Sequence, residues 1–283
     1  MRVLITGAGG VVGRAVVEHC TALGDEVFPH AHDDLDITNH QAVSLTFERE
    51  RPEAVINCAA WTDVDGCEND RGRAFAVNAY SVESLATISR RLAAVFVTVS
   101  TDYVFDGNKG GFYTQRDDPN PISVYGAAKL EGERRAQAAL ARTIVVRTGW
   151  VYGYGGRNFL SMVLERARRG EHLKAIADAY GTPTYADDLA SRLRELAQLD
   201  LPGLYHVVNS GPGVSYKEFA NAALKTVNRG GVEIESMSMD TLLRPAPRPR
   251  NSRLRCLLSE AIGLPALPDW EDSLRVFAAR TSK

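Results

Sequence analysis

Of the ten tyrosines in the chain, only Tyr125 has a lysine four residues on, Lys129. On a helix, positions i and i+4 share a face, so a phenol and an ammonium would stand side by side. A free tyrosine, with a pKa of about 10, is a sluggish acid–base group near neutrality. An adjacent ammonium favours the phenolate and brings the phenol toward working range. The plain alternative is a surface tyrosine beside an exposed lysine. A hydroxyl that would complete the set ends the run Val99-Ser100-Thr101-Asp102. At the carboxyl end of a strand, Thr101 can donate to a carbonyl oxygen, although strand-end threonines also serve purely structural ends.

A second constellation lies near the start. Gly7, Gly10 and Gly13 form G-x-x-G-x-x-G directly after the apolar run VLIT at 3–6. A tight turn, a close backbone approach to a pyrophosphate and close helix–strand packing each ask for a missing side chain. A helix opening here would turn free N–H groups and a positive dipole end toward phosphates. The strand–turn–helix setting therefore predicts dinucleotide binding, against the alternative of a structural glycine turn.

These groups need a scaffold. VLIT at 3–6, EVFPH at 26–30, AVINCA at 54–59, VFVTVS at 95–100 and TIVVRT at 143–148 read as strands. Helical patterns separate them, most clearly at 10–23, 71–92 and 122–140. Short β-rich runs joined by helices imply parallel pairing with both sheet faces covered. The expected fold class is α/β, a Rossmann-type doubly wound parallel sheet with a smaller C-terminal substrate-binding domain. Residues 1–150 read as the NAD(P)-binding domain, with a strand near 204–208 returning to its sheet. Residues 151–283 read mainly as the substrate-binding domain, closing over the carboxyl edge of the strands.

The choice of dinucleotide turns on the end of the second strand. An acid there would hold the adenosine ribose, but the strand ends at His30, with Asp33, Asp34 and Asp36 just beyond. Without a carboxylate at position 30, a 2′-phosphate meets less repulsion, and His30 or Arg14 can approach it. NADPH is favoured and NADH stays open as a second donor.

Composition excludes several classes. The 283 residues carry 33 Lys plus Arg against 35 Asp plus Glu, a net charge of −2, which argues against a nucleic-acid binder. No apolar run approaches the roughly 18–20 residues of a membrane span, and MRVLITGAGG does not read as a signal peptide. Cys20, Cys58, Cys67 and Cys256 lie far apart without metal-ligand spacing, so free thiols in a reducing cytoplasm and no metal site are expected.

Several segments together carry a family resemblance: VLITGAGGVVG at 3–13, INCAAWTDVDGCE at 56–68, STDYVFDG at 100–107, NPISVYGAAKLEGE at 120–133, VRTGWVYG at 146–153, YGTPTYADDLA at 180–190 and RPRNSRL at 248–254. In this order they resemble the dTDP-4-dehydrorhamnose reductase branch of the extended short-chain dehydrogenase/reductase superfamily. The resemblance implies a nucleotide-sugar 4-ketoreductase that uses NADPH on a dTDP-sugar. It implies that Gly10, Val11 and Val12 bind the dinucleotide, that Asp36 and Ile37 meet the adenine side, and that Ala59, Ala60 and Trp61 run under the cofactor. Tyr125 would donate the proton, Lys129 would hold the ribose and tune Tyr125, and Thr101 would polarise the ketone. Asp102 and Trp150 match substrate-contacting positions. The five arginines between 244 and 255 offer partners for a diphosphate or a solvated loop. A homodimer stays open.

Two rivals also stay open at this point. One is an epimerase on the same scaffold; a dehydratase is disfavoured because Tyr103 stands where resembling dehydratases carry a glutamate base. The other is a non-catalytic subunit resembling the regulatory β subunit of methionine adenosyltransferase.

Overall fold

Runs rich in β-branched residues, each followed by a helix that carries the chain back, can pair only in parallel. In the computed structural model, β1 (Arg2–Thr6), β2 (Glu26–His30), β3 (Ala54–Asn57), β4 (Val95–Thr101) and β5 (Thr143–Thr148) join a sixth strand, Gly203–His206, in one sheet. The order is Gly203–His206, β5, β4, β3, β1, β2, and every pairing is parallel. The register sets Thr101 beside Thr148 at the carboxyl edge. The chain leaves β1 toward β2 and resumes on the other side at β3, so the switch-point crevice lies between β1 and β3. The structure describes residues 1–156 and 158–281; Arg157 and the last two positions of the 151–283 range lie outside the described residues.

In chain order the helices are α1 (Val11–Ala22), α2 (His40–Glu50), α3 (Val64–Asn69), α4 (Arg71–Phe75), α5 (Ser81–Arg91), α6 (Val124–Ala139), α7 (Phe159–Arg168), α8 (Ala186–Leu199), α9 (Tyr216–Thr226), α10 (Leu257–Ala261) and α11 (Trp270–Thr281). Strand alternation sorts the core into two layers. Val3, Ile5, Ile56, Val97, Ile144 and Val146 pack with α1 and α8. Leu4, Val55 and Phe96 pack on the other face with residues of α2, α5 and α6. The single helix expected over 71–92 is interrupted by a π-helical turn at Ala76–Tyr80. That wider turn carries Asn78, whose amide brackets the Trp61 backbone, accepting from its N–H at 2.9 Å and donating to its carbonyl at 3.0 Å.

A separate core is built by α7, α9 and α11 around Tyr152, Tyr185, Phe219, Trp270 and Phe277. Sequence position and packing part company between these two cores. Helix α8 and the strand Gly203–His206 come from the second half of the chain but complete the first sheet and its α1 face.

One polar pair is sunk into the sheet edge. Glu133 and Arg147 are each 3% exposed. Arg147 donates through Nε to Oε1 at 2.9 Å and through Nη2 to Oε2 at 2.7 Å, and the Ser100 hydroxyl donates to the same carboxylate. Removing one partner strands the other charge in a low dielectric. Arg147→Met is expected to cost about 3–5 kcal/mol in urea unfolding. The double change Glu133→Leu with Arg147→Met is expected to recover most of that loss.

Candidate active site

The glycine turn divides its labour. Gly7 has φ +70°, and a Cβ on it would stand 2.6 Å from the Ala59 nitrogen, while a Cβ on Gly13 would stand 2.2 Å from the Gly7 carbonyl oxygen. Both glycines are demanded by the protein's own packing. A Cβ on Gly10 would meet only the Gly7 oxygen, at 3.4 Å, so nothing in the fold fills the space beside it. Gly10 also caps α1 without a side-chain bond, which leaves the N–H groups of the first turn for a ligand. Val11 and Val12 open that turn, and the Val11 side chain lies against Gly153 and Gly156 of the following lobe.

Beside the turn is a cavity of about 330 Å³. Gly7, Gly10, Asp36, Ile37, Ala59, Ala60 and Trp61, all expected at a dinucleotide, line it together with His32 and Arg73. The Asp36 carboxylate accepts from the backbone and hydroxyl of Thr38, which hold it below the usual carboxylate range. The Arg73 guanidinium sits 4.5 Å from the centre of the Trp61 ring. The suggestion that His30 meets a 2′-phosphate is corrected. His30 Nε2 is 2.9 Å from Glu50 Oε2, and Arg14 Nε donates to the Gly9 carbonyl at 2.9 Å. The basic side chains that do line the cavity are His32 and Arg73. An open phosphate turn, an acid on the adenine side and two basic groups fit a phosphorylated dinucleotide.

Thr101, Tyr125, Lys129 and Asp102 are brought together at the carboxyl ends of β4 and β5, all buried. Helix α6 starts under a Ser123 cap, whose hydroxyl accepts from the Gly126 N–H at 3.2 Å. A Cβ on Gly126 would fall 2.2 Å from the Tyr103 carbonyl oxygen, so α6 presses its backbone onto the strand-end turn. That approach sets the Tyr125 phenol close to the Thr101 hydroxyl. The Tyr103 ring meets Tyr125 edge-on, centroids 6.0 Å apart. Tyr125 shares a cluster with Trp61, which lines the first cavity, and with Tyr103, which lines the second.

The electrostatics correct one expectation. Burial pushes the Tyr125 phenol up; the Thr101 hydrogen bond opposes this, and Asp102 and Tyr103 add to it. Lys129 donates instead to the Val99 carbonyl at 2.7 Å, and burial lowers its own pKa to about 8 against the pull of Glu133. The phenol is therefore not made acidic by its neighbour. Asp102 is pushed up to about 6 by burial, opposed by the nearby Ser252 and Thr101 hydroxyls. Its Oδ1 accepts from Thr101 at 3.1 Å, and its buried Oδ2 has no partner. Asp102 does not line the second cavity, although its neighbours Tyr103 and Ser252 do.

That second cavity measures about 640 Å³ and is walled by Trp150, Tyr103, Tyr216 and Phe159, with Arg166, His172, Lys174, Arg244 and Arg248. Trp150 adopts φ +50°, rare for a bulky residue, and stacks on Tyr216 at 3.8 Å. A Cβ on Gly181 would lie 2.1 Å from the indole, so that glycine makes room for it. The five arginines of 244–255 separate. Arg244 and Arg248 reach the cavity, and Arg248 also grips Asp65 of α3 through both nitrogens at 2.8 and 2.7 Å. Arg250 pairs with Asp178 and Asp240, Arg255 with Glu260, and Arg253 donates to Asn251 and the Gly110 carbonyl.

Sequence reasoning missed Tyr216, Arg166, His172 and Lys174. The capping box Ser215–Glu218 marks where α9 begins, but which lobe Tyr216 faces is set by packing. Among the described residues, no group of three or more His, Cys, Asp or Glu is placed to hold a metal, and no helix is long and apolar enough to cross a membrane.

Known proteins are similar to this chain over nearly its whole length. A dTDP-4-dehydrorhamnose reductase of Streptomyces griseus is 36% identical, covering 96% of this chain and 91% of its own. A probable dTDP-4,6-dihydroxy-2-methyloxan-3-one 4-ketoreductase of Streptomyces antibioticus is 35% identical, covering 97% and 94%. The crystal structure of a dTDP-4-dehydrorhamnose reductase of Bacillus anthracis in complex with NADP is 33% identical, with a TM-score of 0.95 and 98% of each chain covered. The fold is thus that of the Rossmann-type nucleotide-sugar enzymes, and the RmlD substrate binding domain pattern matches residues 1–282: the chain belongs to that family.

Proposed function

We propose that this protein reduces the C4 ketone of dTDP-4-dehydro-L-rhamnose to give dTDP-L-rhamnose, with NADPH as donor. The observation that carries the reading is the buried Thr101–Tyr125 hydroxyl pair, packed between a phosphate-ready cavity and a larger aromatic and cationic one. It stands in a chain that matches reductases of this class along nearly its whole length.

When bound, NADPH supplies the hydride. The chain's own residues do the rest. The Gly10 turn and the first turn of α1 bind the pyrophosphate, and Asp36 and Ile37 meet the adenine side. His32 and Arg73 face the 2′-phosphate. Lys129 holds the nicotinamide ribose. Tyr125 gives its proton to the oxygen at C4, beside Thr101. Trp150 and Tyr216 form a flat wall for the sugar or base, and Arg244 meets the diphosphate through its planar fork. Tyr103 in place of a carboxylate leaves no base for dehydration. A second reading, a different dTDP-4-keto sugar as substrate, is favoured by the likeness to the Streptomyces antibioticus 4-ketoreductase. The free thiols and the NADPH requirement suit a reducing cytoplasm. The homodimer left open by the resemblance belongs to this reading too, and sedimentation tests it.

The assay is NADPH oxidation with dTDP-4-dehydro-L-rhamnose, followed by NMR of the product. Tyr125→Phe is expected to lower kcat about 10²–10⁴-fold; near-normal turnover would end the reading. Gly10→Ala is expected to leave the melting temperature of the free protein unchanged while weakening NADPH about tenfold. Gly13→Ala, where the Cβ meets backbone, is expected to lower the melting temperature itself. Lys129 is charged below about pH 8 and neutral above it. The kcat/KM for NADPH is therefore expected to fall as pH rises through that value.

A further inference from the structure

We propose that Asp65 is a positioning residue for the reaction: it clasps the segment 238–250 onto α3 and thereby sets the Arg244 guanidinium at the diphosphate of the sugar nucleotide. The proposal deepens the ketoreductase reading above and rests on it.

The sequence makes the segment stiff. It contains Arg244-Pro245-Ala246-Pro247-Arg248-Pro249, with a proline at every second position. Each proline fixes its own φ and biases the residue before it toward extended backbone. Prolines also have no N–H, so between Pro245 and Pro249 the backbone offers donors only on Ala246 and Arg248. A stiff segment pinned at one point is held for several residues on either side.

Two carboxylates do the pinning. Asp178 ties the two ends together, accepting from the Ser238 hydroxyl, the Met239 N–H and Arg250 Nη1, each at 2.7 Å. Asp65 ties the middle to α3. Its Oδ1 accepts from the Ala246 N–H at 3.1 Å and from Arg248 Nη1 at 2.8 Å, and its Oδ2 accepts from Arg248 Nη2 at 2.7 Å. Arg248 Nη1 also donates to the Ala246 carbonyl at 2.8 Å, so both backbone groups of Ala246 are taken up in the clasp. The Arg248 guanidinium holds the Asp65 carboxyl down, at about 2, so the pair stays charged across the neutral range.

The two arginines on the cavity side of this segment therefore do different work. Arg248 commits both terminal nitrogens to Asp65. Arg244 lines the same cavity and, among the described residues, forms no salt bridge. It stands two positions from the pinned Ala246, across Pro245.

Helix α3 is a firm anchor although it is only six residues long. Asp63 caps it by accepting from the Gly66 N–H at 3.0 Å, and Cys67 is buried in one cluster with Trp61, Tyr125 and Ala128. Glu68 Oε1 accepts from the N–H of Val124, the first residue of α6, at 2.7 Å. Through Glu68 and Asp65, one short helix joins the start of the helix that carries Tyr125 to the segment that carries Arg244. A sugar nucleotide must set its ketone at Tyr125 while its diphosphate meets a cation further out, and this link fixes the span between the two.

The probe is dTDP itself, which carries the nucleoside diphosphate without the ketone. In titration calorimetry, Asp65→Ala and Arg244→Met are each expected to weaken dTDP about tenfold. The double variant is expected to lie within about twofold of Arg244→Met, because Asp65 acts through Arg244. The NADPH Kd of Asp65→Ala is expected to stay within about twofold of wild type. In the NADPH assay, Asp65→Ala is expected to raise sugar KM about tenfold with kcat within about twofold, the pattern of lost uniform binding. Unchanged or tighter dTDP binding in Asp65→Ala would overturn the proposal. So would a loss of about a hundredfold in the double variant, which would make the two residues independent. Parallel losses of dTDP and NADPH affinity with a lower melting temperature would overturn it in favour of a purely structural ion pair. Should Asp65→Ala fail to fold, Asp65→Asn keeps an oxygen for the Ala246 N–H and removes the charge. Weakening of dTDP by about threefold or more in that variant supports the proposal, and wild-type affinity overturns it. Binding of dTDP that depends on Asp65, without turnover of any dTDP-4-keto sugar, would overturn the ketoreductase reading and uphold the positioning of the diphosphate. No binding of dTDP by the wild type would overturn both.

Discussion

A parallel sheet covered by helices on both faces leaves only its strand ends for chemistry. Here Val3, Ile5 and Ile56 are sealed by α1 and α8, while Leu4, Val55 and Phe96 are sealed by α2, α5 and α6. Polar groups pointing into either layer would be stranded. The polar side chains of the site therefore gather at the carboxyl edge, where strands give way to turns: Thr101 and Asp102 after β4, the glycine turn after β1, Ala59 to Trp61 after β3. The close approach of Gly7 and Gly13 to backbone atoms fixes where that edge can open.

Burial governs the chemistry as strongly as proximity does. Tyr125, Lys129 and Asp102 are all withdrawn from water, and each is pushed toward its neutral form. In a site withdrawn from water, where each donor points matters as much as its charge. Helix α6 does the pointing, since the contact of Gly126 with the Tyr103 carbonyl leaves Tyr125 one place to stand.

The strands and their order of appearance were legible because continuous apolar runs between helical patterns have one good solution in space. EVFPH and TIVVRT fall on β2 and β5 end to end. The glycine turn was legible because close packing forbids side chains at Gly7 and Gly13. What could not be read was direction. Nothing in the spacing of Tyr125 and Lys129 says that the amine turns to the Val99 carbonyl, or that His30 turns to Glu50 and leaves His32 facing the cavity. The π-turn at Ala76–Tyr80 was hidden for the same reason: it exists to aim Asn78 at a backbone far away in sequence. The lining of the larger cavity comes from scattered positions between Tyr103 and Ser252 that meet only after folding.

The return of α8 to the α1 face has a consequence for how the chain is made. During synthesis the first five strands and their helices emerge with one side of the sheet covered only by α1, because Leu189, Leu193 and Leu196 arrive later. That apolar surface stays open to water until residues beyond the middle of the chain have been added and the strand Gly203–His206 has paired with β5. The nucleotide-holding half therefore completes its core only with a segment from far along the chain, and long-range pairings of this kind are the slow ones that leave apolar surface open in the meantime.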